Sequence, residues 1–227
     1  MKLGTDTVLL GAFADAAGAG QVLDIGTGTG VLALMMAQKS NARIDAIEID
    51  ESACEEAQEN FEHSIYRDRI RLHCMPLQKF IAVKKYDLII SNPPYFKAGK
   101  SFRIEDEQRA KARHDRDLPF EELCASAAAL LAPSGKFWLI LPVQESLEFI
   151  SVAKKSALHL NTQIKVHSVE GKAVKRMIMA FAFGESGIRI SDFSVYQSDG
   201  KPTQGYIDMT RDFYLWKDLD DVPGLKW

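Results

Sequence analysis

The chain has 227 residues, 46% of them hydrophobic, and a net charge of −3. That length suits one α/β domain, or a domain with a small appendage. The charge excludes a globally basic nucleic-acid binder, so any nucleic-acid contact must come from a local patch. Cys54, Cys74 and Cys124 form no CxxC. They are expected to be buried thiols in a reducing compartment, not a disulfide framework or zinc site. No apolar stretch is long enough to span a membrane, and Asp6 and Asp15 interrupt any signal-peptide pattern, so a soluble, cytoplasmic protein is expected.

Strand-like and helix-like segments alternate along the chain. Gln21–Ile25 is a short apolar run ending in a Gly-rich turn, and Val31–Lys39 has helical spacing through Leu32, Met35 and Met36. Ala42–Ile49 reads as a strand, and Glu51–His63 as a helix with Asp50 at its N-cap. Arg69–His73 is a third strand. Tyr86–Ser91 is a fourth, apolar after Asp87 as a strand covered on both faces should be. Phe96–Asp117 follows, long, polar and dense in charge of both signs.

Leu118–Leu131 is helical, with Ala132-Pro133-Ser134-Gly135 as its stop signal. Lys136–Leu141, Thr162–Val169 and Arg176–Phe183 are strands, with a helix over Gln144–Ala157. Gly184–Gly187 is a turn, Arg189–Tyr196 a candidate additional strand, and Asp208–Leu215 a short amphipathic piece. The alternation predicts a Rossmann-like α/β fold: a seven-stranded, mostly parallel sheet with helices on both faces. Glu170–Lys175 is too short for a crossover helix, so the last strand is expected to be antiparallel. No linker divides the chain, so residues 1–227 are expected to be one domain, with a tail after Gly205.

Two motifs carry chemistry. In Asp24-Ile25-Gly26-Thr27-Gly28-Thr29-Gly30 a strand runs into alternate glycines and a helix follows. Such a turn admits a ligand close to the backbone and serves NAD(P), FAD or S-adenosylmethionine. Glu48, at the end of the next strand, suits the ribose hydroxyls of any of them. Asp24 favours S-adenosylmethionine, because a carboxylate there attracts a cationic amino-acid end and repels a pyrophosphate.

The second motif, Asn92-Pro93-Pro94-Tyr95, ends the fourth strand. The prolines stiffen the turn and leave carbonyls outward. The Asn92 side chain and the Pro93 carbonyl can then accept from one NH2 group beside the flat ring of Tyr95. The first and fourth strands flank the topological switch point, so both motifs converge on one crevice.

Together these residues resemble the class I S-adenosylmethionine-dependent amino-methyltransferases, whose NPPY-type motifs serve adenine N6, cytosine N4, guanine N2 and glutamine amide nitrogens. Lys2-Leu3-Gly4-Thr5-Asp6-Thr7-Val8-Leu9-Leu10-Gly11 further resembles the opening segment of the bacterial tRNA1(Val) adenine-N6 methyltransferases. Asp208-Met209-Thr210-Arg211-Asp212-Phe213-Tyr214-Leu215 resembles their C-terminal signature. That family usually carries a short extension ahead of the first segment, which here begins at Met1.

The resemblance covers nearly the whole chain. It implies methylation of the adenosine 3′ of the tRNA anticodon, with S-adenosylhomocysteine as by-product. It implies catalysis by Asn92, Pro93 and Tyr95, and a cofactor site of Thr5, Asp6, Asp24, Gly26, Gly28, Gly30, Glu48, Met75 and Asn92. Related enzymes often place an acid near the cofactor adenine after the third strand; Cys74-Met75-Pro76-Leu77 has none, leaving backbone groups and apolar packing.

Phe96, Lys97, Arg103 and Arg113 beside the catalytic turn, with Lys175 and Arg176 in the late tight connection, are candidate RNA contacts. Lys172 belongs to the same second patch. The histidines lack metal-ligand spacing, so no metal is expected. A monomer without an obligate protein partner is expected. Glutamine N5-methylation of a release factor, methylation of another nucleic-acid base and a SAM-binding RNA chaperone remain alternatives. The glutamine enzymes usually carry a helical N-terminal substrate domain, for which the chain has no room, and a DNA adenine methyltransferase would need a sizeable target-recognition region that is missing.

Overall fold

β4, Tyr86–Ser91, is buried at every position but Asp87, which places it inside a sheet with cover on both faces. It runs parallel between β1 (Gln21–Ile25) and β5 (Leu131–Pro142). The computed structural model of the chain describes residues 4–93 and 118–214. The remaining strands are β2 (Arg43–Glu48), β3 (Ile70–Cys74), β6 (Leu158–Val169), β7 (Val174–Phe183) and β8 (Arg189–Tyr196). All lie in one eight-stranded sheet of order β3-β2-β1-β4-β5-β7-β6-β8.

The expected alternation holds through β5, whose pairing with β4 is parallel. β7 is antiparallel to both β5 and β6, as the short connection requires. The expectation of seven strands is corrected to eight: Arg189–Tyr196 joins the sheet parallel to β6 and forms its edge. Its first residues are exposed, so the apolar signal that marks the inner strands is weak there.

Alternate residues of each inner strand enter opposite cores, as the two-residue period of a strand dictates. Val22, Leu88, Ile90 and Trp138 face one core. α1 (Thr5–Phe13), α2 (Val31–Lys39) and α3 (Glu51–Glu62) cover that face. Leu23, Ile89, Phe137 and Leu139 face the other, under α4 (Phe120–Leu130) and α5 (Val143–Lys155). The Asp50 carboxylate caps α3 by accepting from Ala53 N at 3.0 Å.

α1 has no strong sequence signature, because its Val8–Ala12 stretch is buried all round. Its C-terminal carbonyls are satisfied from outside: Lys39 Nζ donates to Gly11, Ala12 and Ala14 oxygens at 3.0, 2.7 and 2.5 Å. α6 (Gln204–Thr210) packs beside α1 with Tyr206 fully buried, so part of the C-terminal signature segment serves the N-terminal helix. Cys54 and Cys124 are buried as expected. Cys74 is exposed, because it is the last residue of an edge strand.

Candidate active site

The strand order reverses between β1 and β4, and the Gly-rich turn leaves the end of β1 there. The turn is held by the neighbouring strand: Gly26 N and Thr27 N both donate to Ile47 O at 2.9 Å. Asn60 Nδ2 donates to Thr29 O at 2.9 Å. Gly26, Gly28 and Gly30 all have positive φ, at 70°, 58° and 86°. A Cβ on Gly30 would lie 2.4 Å from the buried Phe61 ring, whereas one on Gly26 would meet nothing within 4 Å.

The two glycines therefore predict different defects. Gly30→Ala should destabilise the protein by roughly 2–4 kcal/mol, from overpacking and left-handed strain. Gly26→Ala should cost about 1 kcal/mol of strain and chiefly weaken any ligand bound against this open side. Thermal melting and calorimetric titration of each variant separate the effects. A Gly30→Ala protein melting with the wild type would remove the packing argument.

Asp24 is fully buried. Its Oδ2 accepts from Thr27 Oγ1 at 2.5 Å and Ala33 N at 3.1 Å. Oδ1 has no partner among the described residues. Burial pushes the carboxyl up to about 7, against the lowering effect of those two hydrogen bonds, and the nearby Glu48 charge adds to the rise. Glu48 Oε2 accepts from Gly28 N at 2.8 Å, and Oε1 from Ile49 N and Asp50 N at 2.8 and 2.9 Å. A carboxylate has about four acceptor directions, so Glu48 shapes the turn and keeps capacity for a ribose hydroxyl.

Across the crevice, Ser91 Oγ donates to Ile25 O at 2.8 Å and ties the ends of β4 and β1 together. Asn92 follows. Its Nδ2 donates to Thr7 Oγ1, in the first turn of α1, at 3.0 Å. Its Oδ1 is buried without a donor among the described residues. A buried acceptor left unmatched costs about 1–3 kcal/mol, and native proteins rarely keep one without reason. Asp24 Oδ1 and Asn92 Oδ1 are thus both acceptors that no donor among the described residues meets. A cationic amine fits the first and a neutral NH2 fits the second.

The other expected site residues divide. Met75 N donates to Glu48 O at 2.9 Å and His73 O at 3.0 Å, so its amide is committed to the strand ends. Thr5 opens α1, which packs beside α6. Asp6 Oδ2 accepts from Arg176 Nε at 2.7 Å. That bond ties an expected cofactor residue to an expected RNA contact, and α1 to the start of β7.

β7 begins beside the end of β5, where Arg176 lies opposite Pro142. Lys172 and Lys175 are exposed there. Pro93 is buried at the turn. Tyr95, Phe96, Lys97, Arg103 and Arg113 lie outside the described residues. Thr7 was not singled out by its sequence, since a hydroxyl residue in a buried helix carries no periodic signal; only its contact with Asn92 identifies it.

The Methyltransferase small domain family model matches residues 3–167. A curated relative from Phocaeicola vulgatus, a tRNA1(Val) (adenine(37)-N6)-methyltransferase, is 42% identical over 95% of this chain and 91% of its own length. Among solved structures, a predicted O-methyltransferase from Agrobacterium tumefaciens aligns with TM-score 0.69 and 18% identity, over 91% of this chain and 96% of that one. The glycopeptide N-methyltransferase MtfA, complexed with S-adenosylmethionine, aligns with TM-score 0.58 and 15% identity, over 79% of this chain and 94% of its own. These structural likenesses establish a shared fold.

Proposed function

The chain belongs to the tRNA1(Val) (adenine(37)-N6)-methyltransferase family, and from that premise we propose that it methylates the exocyclic N6 of an adenosine in a tRNA anticodon loop. The observation that carries this reading is the buried, donor-seeking Asn92 Oδ1 at the end of β4, next to the Gly-rich turn of β1. S-adenosylmethionine supplies the electrophilic methyl group when bound. Asp24 Oδ1 would hold its ammonium and Glu48 its ribose, and the open face of Gly26 would admit it to the backbone.

Asn92 Oδ1 and the Pro93 carbonyl accept the two hydrogens of the target amine. The lone pair of an adenine NH2 is delocalised into the ring, so holding both hydrogens away from the ring plane localises it toward the incoming carbon. The turn works by placement and preorganised dipoles, without a strong base. An anticodon-loop base can be splayed into such a crevice more readily than a base in a duplex. Tyr95 and Phe96 supply stacking surface by their position in the sequence. Exposed Lys172 and Lys175 around the start of β7 support a role in holding backbone phosphates, with Lys97, Arg103 and Arg113 next in sequence to the catalytic turn. No helix among the described residues is long and apolar enough to cross a membrane, and the cytoplasm is where such a substrate resides.

The test is transfer of tritiated methyl from S-adenosylmethionine to tRNA, rRNA, DNA and release factor in parallel, with nucleoside mass spectrometry of the product. N6-methyladenosine in tRNA is the expected result. Label in DNA or protein with none in tRNA overturns the substrate assigned.

A further inference from the structure

We propose that Thr7 is a positioning residue that fixes the Asn92 carboxamide in place for the target amine; this rests on the amine-binding reading of Asn92. The two ends of a carboxamide are nearly equal in shape and opposite in hydrogen-bonding sense. Turned by half a rotation, Asn92 would present a donor to a donor and lose the target. A hydroxyl can serve either end, accepting from the NH2 or donating to the oxygen, so the hydrogens of the target amine select the orientation and the neighbour's task is to fix the group in place.

Thr7 Oγ1 is the partner the described residues provide, accepting from Nδ2 at 3.0 Å while Oδ1 stays buried and unmatched. The hydroxyl fixes where the carboxamide lies, because it is carried on an immobilised turn. Asp6 beside it accepts from Arg176 Nε at 2.7 Å, and α1 packs beside α6. The first turn of α1 is therefore tied to β7, and the helix is held against α6. Thr7 reaches β4 from that frame.

Removing the hydroxyl takes away the acceptor of the part-buried Nδ2, and the carboxamide is released to rotate toward whatever polar group or water it can find. Misplacement of a positioning group by about an ångström lowers turnover by up to about a hundredfold, without necessarily changing ground-state binding.

The experiment compares Thr7→Val with Thr7→Ser in steady-state methyl transfer to tRNA, with S-adenosylmethionine affinity measured separately by calorimetry. Thr7→Val, nearly the same shape, is expected to lower kcat about tenfold to a hundredfold, with KM for tRNA and cofactor Kd within about twofold. Thr7→Ser, which keeps the hydroxyl, is expected to recover kcat to within about threefold of the wild type. A Thr7→Val enzyme with unchanged kcat overturns the proposal, and so does a Thr7→Ser enzyme as slow as Thr7→Val. A loss of cofactor affinity in Thr7→Val with kcat preserved also overturns it, by assigning the hydroxyl to the cofactor.

If Thr7→Val does not fold, Thr7→Ala takes its place, since alanine is the stronger helix former. If wild-type protein methylates a different acceptor, the tRNA reading fails by itself. The same comparison then runs on the acceptor that is methylated.

Discussion

Replacing Asn92 by alanine is expected to cut methyl transfer by about a hundredfold to a thousandfold, while cofactor affinity stays within about fivefold of the wild type. The magnitude follows from what Asn92 Oδ1 does. It is buried and has no donor among the described residues, which leaves its acceptor capacity open to the target amine in the proposed reading. An interaction made by a preorganised dipole in a water-poor site is worth several kcal/mol in the transition state, and each 1.4 kcal/mol is tenfold in rate. Alanine also leaves Thr7 Oγ1 without its donor, but a hydroxyl at the crevice can turn to water, so the fold should tolerate the change. Single-turnover methyl transfer with calorimetric cofactor binding checks both halves. Full turnover in this variant would falsify the role given to the turn.

Much of this arrangement is written locally in the sequence. The apolar run of β4 and the proline-rich turn after it are adjacent along the chain, so period and turn chemistry suffice to place Asn92 at a strand end. The alternate glycines and Asp24 likewise predict a ligand turn at the end of β1. The order reversal between β1 and β4, which brings the motifs together, follows from alternating β and α elements.

What the sequence hides is every relation between distant segments of mixed chemistry. Asp6 and Arg176 meet only in the fold, and each looked more like a ligand contact than like half of an ion pair. Glu48 was legible as an acid at the right place. Its further work, receiving the amides of Gly28, Ile49 and Asp50, needs the turn's three-dimensional path. β8 escaped the seven-strand count because an edge strand faces solvent and loses the apolar signature that identified its neighbours.

Cofactor binding should depend on pH through Asp24. Its carboxyl stands at about 7 in the free protein, chiefly from burial, so near neutrality it is a mixture of acid and carboxylate. Only the carboxylate attracts an ammonium, and the bound ammonium in turn favours the carboxylate. Binding below pH 7 must therefore release a proton from Asp24, whereas above it the group is already ionised. S-adenosylmethionine affinity is expected to rise as pH increases from about 6 to 8 and then to level off, with proton release seen as a buffer-dependent heat on the acid side.

Stability of the free protein should run the opposite way. A carboxyl whose folded pKa lies above its unfolded value near 3.8 takes up a proton on folding between those limits, so stability declines as pH rises from about 4 to 7. Asp24→Asn separates the charge from the packing. Its amide oxygen can still accept from Thr27 Oγ1 and Ala33 N, which leaves the NH2 where the unmatched oxygen stood, a donor facing a cation. Loss of a charged hydrogen bond of about 3 kcal/mol corresponds to roughly a hundredfold weaker binding. The variant should also show a flat affinity over the same pH range, because the titrating group is gone. Calorimetric titration of wild type and Asp24→Asn at pH 6, 7 and 8 decides it: an equal pH slope in both proteins would assign the proton to another group.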